Sequence, residues 1–262
     1  MFDFVTKKPE IYITWLILAV LLISAFLFFA WLFAGRRRKN SPLSSPTLSQ
    51  RRILMGLCAF IIAMEIYKFI ALLRGDGVVS GVIGHGNFPF QLCSMALYFF
   101  PFVAFCKDEN RLAKFIKPFA FALGIVMGGF TLLYPANVLL IDRPWFAYGF
   151  MSARPISLIY HSSMVAFSLY MVQSKIYKPR MKDVWKGITV LLAAAVPAII
   201  LNAVVPGADY FLLGKGYGVP LADKLIAIWK PLYIAIMLAV YSAGITIAIV
   251  IASLVNRTKK KL

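Results

Sequence analysis

The sequence predicts an all-α, polytopic membrane protein: a seven-helix transmembrane bundle with its N-terminus outside and its C-terminus in the cytoplasm. Three observations carry that expectation. The 262 residues are 61% hydrophobic with a mean hydropathy of +0.81, more than a soluble domain needs to fill a core. The apolar residues fall in runs long enough, or nearly so, to cross ~30 Å of hydrocarbon at ~1.5 Å rise per residue. The basic residues gather in alternate gaps between those runs. The formal net charge of +18 therefore reads as a topology signal rather than as a nucleic-acid footprint.

The runs span 11–34, 53–73, 89–106, 112–134, 153–173, 187–205 and 226–254. The first is followed by Arg36, Arg37, Arg38 and Lys39 and has no clear small-residue cleavage site, so it reads as a retained helix rather than a signal peptide. A Ser/Pro linker, NSPLSSPTLSQ, leads to the second through Arg51 and Arg52. The third is introduced by the turn His85-Gly86-Asn87, with Pro89 suited to a first helical position. The gap between the third and fourth, with the start of the fourth, holds Lys107, Arg111, Lys114 and Lys117. The gap after the fifth holds Lys175, Lys178, Arg180, Lys182 and Lys186. The seventh run is the longest and ends in Arg257, Lys259, Lys260 and Lys261. With the other gaps sparse in Lys and Arg, these clusters mark the cytoplasmic side. Residues 1–262 read as one transmembrane domain, with no soluble domain and no internal repeat of the kind that builds many transporters.

The three cysteines, Cys58, Cys93 and Cys106, form no CxxC pair, so neither a disulfide framework nor a zinc site is expected. No Gly-rich phosphate loop or metal-spaced His/Cys set implies a cofactor. Helix directions place an unusual set of polar groups at one depth, the outer third of the bilayer. Glu65 and Lys68 lie near the outer end of the second run, and Gln91 and Cys93 in the first turns of the third. Arg154 stands at the mouth of the fifth with His161 about two turns below, and Asn202 one turn before the end of the sixth. Asp209 and Tyr210 follow in the outer loop. Each has a plain structural reading. Glu65 and Lys68 can pair at i, i+3, His161 can bond a backbone carbonyl, and a lone cysteine in a membrane helix is ordinarily packing. Yet Arg154, Ser157, His161 and Ser168 make one polar face, which a membrane forces toward the bundle interior. A thiol with a histidine and a carboxylate at matching depth is the set needed for nucleophile, base and orienter: Cys93, His161 and Glu65. Gln91 and Asn202 are amides able to bind an ester carbonyl or oxyanion. His85 reads as a turn histidine or a lid residue, and Cys58 and Cys106 as inert.

The run FPFQLC on the third helix, the run YHSSMVAFSLY on the fifth, and Asn202 followed by Asp209-Tyr210 resemble the YwaF-type bacterial membrane proteins, which group with the eukaryotic transmembrane protein 164 family. The resemblance covers nearly the whole chain and suits seven helices with the N-terminus outside. It implies a membrane acyltransferase that moves fatty acyl chains between phospholipids, with Cys93 as acyl carrier and His161 beside it. Gln91 stands where members of that group often carry a histidine, and Asp209 where they carry an asparagine before the tyrosine. The expected function is thus a lipid acyltransferase or hydrolase acting on phospholipid or lysophospholipid through a thioester. Arg154, Lys68, Gln91, Asn202, Asp209 and Tyr210 would be its substrate-binding groups. The same polar pocket admits a transporter or small-molecule binding module, in which Glu65, Lys68, Arg154 and His161 coordinate a solute, or a sensor that binds lipid without turnover. Oligomeric state is not legible.

Overall fold

The computed structural model describes residues 9–33, 47–73, 89–134, 153–205, 207–214 and 220–258, and among these every regular element is helical. Helix α1 (Pro9–Phe33) starts on a proline, whose missing N–H is no loss at that position, with Glu10 complementing the dipole in the first turn. Helix α2 (Leu48–Leu73) opens with a capping box: the Gln50 amide donates to Thr47 Oγ1 at 3.2 Å and the Thr47 amide to Gln50 Oε1 at 2.9 Å. A 3-10 turn, Cys93–Met95, runs into α3 (Ala96–Phe105). Helix α4 (Arg111–Leu133) is capped by Asn110, whose side chain accepts from the Ala113 amide, and passes through a π turn at Gly124–Gly128. Helix α5 (Ala153–Gln173) is followed by a 3-10 turn, Met181–Asp183, which leads into α6 (Val184–Val204). Helix α7 (Pro220–Thr258) kinks at Trp229, two residues before Pro231, which cannot donate to the helix ladder.

Among the described residues, five stretches are long and apolar enough to cross a membrane: Glu10–Phe33, Arg111–Leu133, Pro155–Gln173, Met181–Val204 and Asp223–Arg257. Cys93–Phe105 is apolar but shorter, and α2 carries Arg51, Arg52, Glu65 and Lys68 along its length. Helices α2 and α7 begin earlier than the expected 53 and 226, at Leu48 and Pro220. The third run begins later. Its helix was expected from residue 89, on Pro89, but residues 89–92 form a bend and turn, and helix begins at Cys93. The physical reason is tertiary: Phe90 packs edge-on against Tyr210 and the Gln91 side chain bonds the Asp209 carbonyl, which holds the stretch out of the helical path.

The core lies between α2 and α7. Phe100 of α3 stacks on Phe167 of α5 with centroids 4.0 Å apart, and Phe99 meets Phe119 of α4 edge-on. The end of α1 reaches this core through Ala30, while its first half packs through Trp15 and Ala19 against Leu132, Leu158 and Val165 and closes the end of α4. Trp15 Nε1 donates to the Leu132 carbonyl at 2.9 Å and Tyr12 Oη to the Leu133 carbonyl at 2.8 Å. These are carbonyls of the last turn, which have no partner within the helix.

Helices α4 and α5 approach each other through Gly124-x-x-x-Gly128, a spacing that lets backbones meet where lipid gives little driving force. A Cβ at Gly124 would strike Ser168 Oγ and lie 2.5 Å from the Met164 carbonyl oxygen. One at Gly128 would lie 2.9 Å from Val165 Cγ2 and 3.0 Å from the His161 carbonyl oxygen. The glycines thus set the seat of the helix that carries His161. Because backbone on α5 cannot step aside cheaply, Gly124→Ala is expected to destabilise the protein by about 1–3 kcal/mol, read as a lower thermal midpoint in detergent. At Gly129 nothing stands within 4 Å of an added Cβ, so Gly129→Ala serves as the near-neutral control.

Candidate functional site

The short turn Gln91–Ser94 is where the polar groups of the bundle converge. Gln91 Nε2 donates to the Asp209 carbonyl at 2.9 Å. The Cys93 carbonyl accepts from Tyr160 Oη of α5 at 3.3 Å. Ser94 Oγ donates to Glu65 Oε1 of α2 at 3.4 Å, and Glu65 is only 5% exposed. One turn thus ties α2, α3, α5 and the 207–214 loop together. Cys93 is half-buried and stands in the first helical turn, where the positive end of the helix dipole favours negative charge on sulfur. This differs from the expected position a full turn down the helix. Tyr160 Oη also lies within electrostatic reach of Glu65 and Tyr98.

His161 is buried next to Tyr160, the two rings meeting edge-on at 5.3 Å. Its Nδ1 lies 2.7 Å from the Ser157 carbonyl oxygen and 3.2 Å from Ser157 Oγ. A carbonyl oxygen can only accept, so the short contact places the proton of the neutral ring on Nδ1 and leaves the lone pair on Nε2. Nε2 is itself buried. In that tautomer Nε2 is the acceptor nitrogen of the ring. The orienting bond to Nδ1, expected from Glu65, comes from Ser157, while Glu65 engages Ser94.

Asn202 and its neighbours do something the sequence did not announce. From Asp209 to Leu212, four consecutive carbonyls each accept a hydrogen bond from a distant side chain. The donors are Gln91 to Asp209, Asn202 to Tyr210 at 2.9 Å, Tyr241 to Phe211 at 2.8 Å, and Tyr233 to Leu212 at 2.8 Å. Asn202 Oδ1 also accepts from the Tyr210 amide at 2.7 Å, and Asp209 Oδ1 from the Gly214 amide at 2.6 Å. Ala208, Asp209, Tyr210, Phe211 and Leu213 are all buried, so the expected outer loop is a segment packed into the bundle. Its backbone groups find protein partners, as buried backbone in a membrane protein must. Phe211 and Leu212 adopt φ of 58° and 56°, a left-handed conformation that costs about 1–3 kcal/mol per non-glycine residue. Burial raises the Tyr210 phenol above its ordinary pKa and keeps it neutral.

Hydrogen bonds tie Glu65 to the entry turn, which contains Cys93, and join Gln91, Asn202, Asp209 and Tyr210 at the buried loop, while His161 neighbours Tyr160. The side chains of Lys68 and Arg154, and all of His85, lie outside the described residues. Cys58 is buried in the core and Cys106 closes α3. Tyr160, Ser94, Tyr233 and Tyr241 were not singled out from sequence. Only Tyr160 and Ser94 carry a local signal, each being next to a residue that was. A shallow, open-sided apolar crevice with room for about one water molecule is lined by Leu92, Phe119, Leu123, Val126, Met127 and Tyr241 among others. Among the described residues no group of three His, Cys, Asp or Glu side chains is placed to hold a metal ion.

The sequence model of the TMEM164 family aligns with residues 5–251. The chain belongs to the TMEM164 family. The alignment runs from before α1 into α7, so it takes in Cys93, His161 and the buried loop together. With its five long apolar helices, this TMEM164-family chain is a multi-pass integral membrane protein. No curated protein and no solved structure matches it.

Proposed function

We propose that this TMEM164-family protein is a lipid acyltransferase or hydrolase of the cell membrane, working on phospholipid acyl chains with Cys93 as nucleophile and His161 as base. The observation that carries the reading is the His161 Nδ1 contact to the Ser157 carbonyl, which leaves Nε2 as the basic nitrogen one residue from the tyrosine bound to Cys93. In the proposed cycle the Cys93 thiol passes its proton to Nε2 as sulfur attacks the ester carbonyl carbon of a phospholipid. The ester C–O bond breaks, the lysophospholipid oxygen takes the proton from Nε2, and the acyl chain remains on Cys93 as a thioester. The hydroxyl of a second lysophospholipid, or water, then attacks the thioester with Nε2 accepting its proton, which returns to sulfur as the C–S bond breaks. Arg154 and Lys68, at the outer ends of their helices, suit the phosphate. Glu65 acts through Ser94, and Gln91 and Asn202 through the buried loop, by holding Cys93 in place.

In this reading all seven helices span the membrane as one domain, with the N-terminus outside and the pocket toward the outer leaflet. A membrane-impermeant thiol label is expected to reach cysteines engineered at Gly86 and Gly216 in intact cells and to miss those at Ser44 and Pro179. Labelling at Ser44 overturns the orientation. The activity itself is tested by acyl transfer from a labelled phospholipid to a lysophospholipid in liposomes holding the purified protein. Transfer or release of the labelled chain is expected. Its absence across several lipid classes, with no acyl adduct on the protein, assigns the pocket to binding alone.

A further inference from the structure

At the basic end of the bundle, away from Cys93, one carboxylate serves two cations. Asp108, in the turn between α3 and α4, bonds Arg51 Nη1 of α2 at 3.1 Å through Oδ2 and Lys117 Nζ of α4 at 2.6 Å through Oδ1. Both carboxylate oxygens are engaged and the trio still carries one net positive charge. Arg51 Nη2 is buried and has no hydrogen-bond partner among the described residues. A buried, charged N–H with nothing to donate to is expensive, and a guanidinium fork can hold a carboxylate on one nitrogen while offering the other to a phosphate. The surrounding charge is of the same sign: Arg52, Lys107, Arg111 and Lys114 are exposed nearby in sequence, against Glu109 alone. Exposed apolar side chains belong to the same helix ends, namely Leu48 at 67%, Phe105 at 50% and Leu112 at 52%. Such a pairing of a cationic cluster and exposed apolar side chains fits a ligand with an anionic head and a hydrocarbon tail, rather than a free ion.

We infer that Arg51, Lys117 and Asp108 form a headgroup site for an anionic phospholipid, with a phosphate oxygen accepting from Arg51 Nη2. The site is independent of the chemistry at Cys93. It predicts a dependence on geometry as well as charge. Arg51→Lys keeps the cation and its pairing with Asp108 but has no second nitrogen.

The test is a titration of the whole purified protein in neutral detergent with short-chain phosphatidylglycerol, short-chain phosphatidylcholine and inorganic phosphate, read as the shift in thermal midpoint. Saturable stabilisation by phosphatidylglycerol is expected, with the other two inert at equal concentration. The apparent affinity for phosphatidylglycerol should fall at least about tenfold in Arg51→Lys, the scale of one lost charged hydrogen bond. Lys182→Gln, an exposed cation of another turn, should leave it unchanged. Equal shifts with the two lipids, an equal shift with inorganic phosphate, or an Arg51→Lys titration that matches wild type would each overturn the assignment. The three wild-type titrations decide the matter even where the variant does not fold.

Discussion

Cys93→Ser is expected to lower acyl transfer in liposomes by at least ~10²-fold, the scale for removing a positioned catalytic group. Serine is close in size to cysteine, and its hydroxyl can bond back to its own helix, so folding should hardly change. The loss arises because a hydroxyl is a far poorer nucleophile at neutral pH than a thiol, and His161 alone must then remove a much less acidic proton. His161→Ala should cost comparable activity for a different reason and carry a second signature. His161 is buried and its Nδ1 bonds the Ser157 carbonyl, so truncation also removes that bond, at about 0.5–1.5 kcal/mol, and the ring's packing against Tyr160. The two variants therefore separate on a thermal melt while agreeing in the assay. Glu65→Gln gives the discriminating contrast. Glu65 accepts from Ser94, and glutamine keeps an acceptor oxygen there, so an enzyme working through Cys93 and His161 keeps most of its turnover. A solute-coordinating site would instead lose binding with Glu65→Gln and ignore Cys93→Ser.

Asn202→Leu is expected to be among the most destabilising single substitutions in the molecule. Its amide group satisfies both the carbonyl and the N–H of Tyr210, which is buried. Leucine leaves both unpaired, at about 1–3 kcal/mol for each group, or about 2–6 kcal/mol together. The strain held at Phe211 and Leu212 adds to the drive for the loop to leave its seat. Asn202→Asp should fall between, since a carboxylate oxygen still accepts from the Tyr210 amide while the donor to its carbonyl is gone. Thermal unfolding in detergent reads the order wild type, Asp, Leu. Protease sensitivity between Pro206 and Pro220 should rise in the same order. A leucine variant as stable as wild type would mean that the four-carbonyl clamp contributes little.

Much of the helical layout was legible because a membrane imposes it: runs of apolar residues at ~1.5 Å rise leave few alternatives for the chain. The inward face of α5 was legible in the same way, since Ser157, His161 and Ser168 had nowhere else to point, and all three make hydrogen bonds in or across the bundle. What was not legible depends on contacts between residues far apart in sequence. Asp209 and Tyr210 read as part of an outer loop because they follow the end of the sixth apolar run. The burial of that loop requires Gln91, Asn202, Tyr233 and Tyr241 to reach it from three other parts of the chain. Pro89 read as a helix start on local grounds, and Phe90 and Gln91 override it by binding that same loop. Glu65 was expected to align the imidazole because triads place a carboxylate there. The spacing of Ser157 and His161, four residues apart on one helix, was the available sign that a backbone carbonyl could take that part.

The central claim is that Cys93 carries an acyl chain, and intact-protein mass spectrometry tests it most directly. Purified wild-type protein incubated with phospholipid, then mapped by peptide, should show a fatty acyl adduct on the peptide containing Cys93. That adduct should be lost on hydroxylamine treatment, as a thioester is, and be absent from Cys93→Ser. Turnover in liposomes with no adduct at Cys93, or a labile adduct confined to Cys58 or Cys106, would contradict the account.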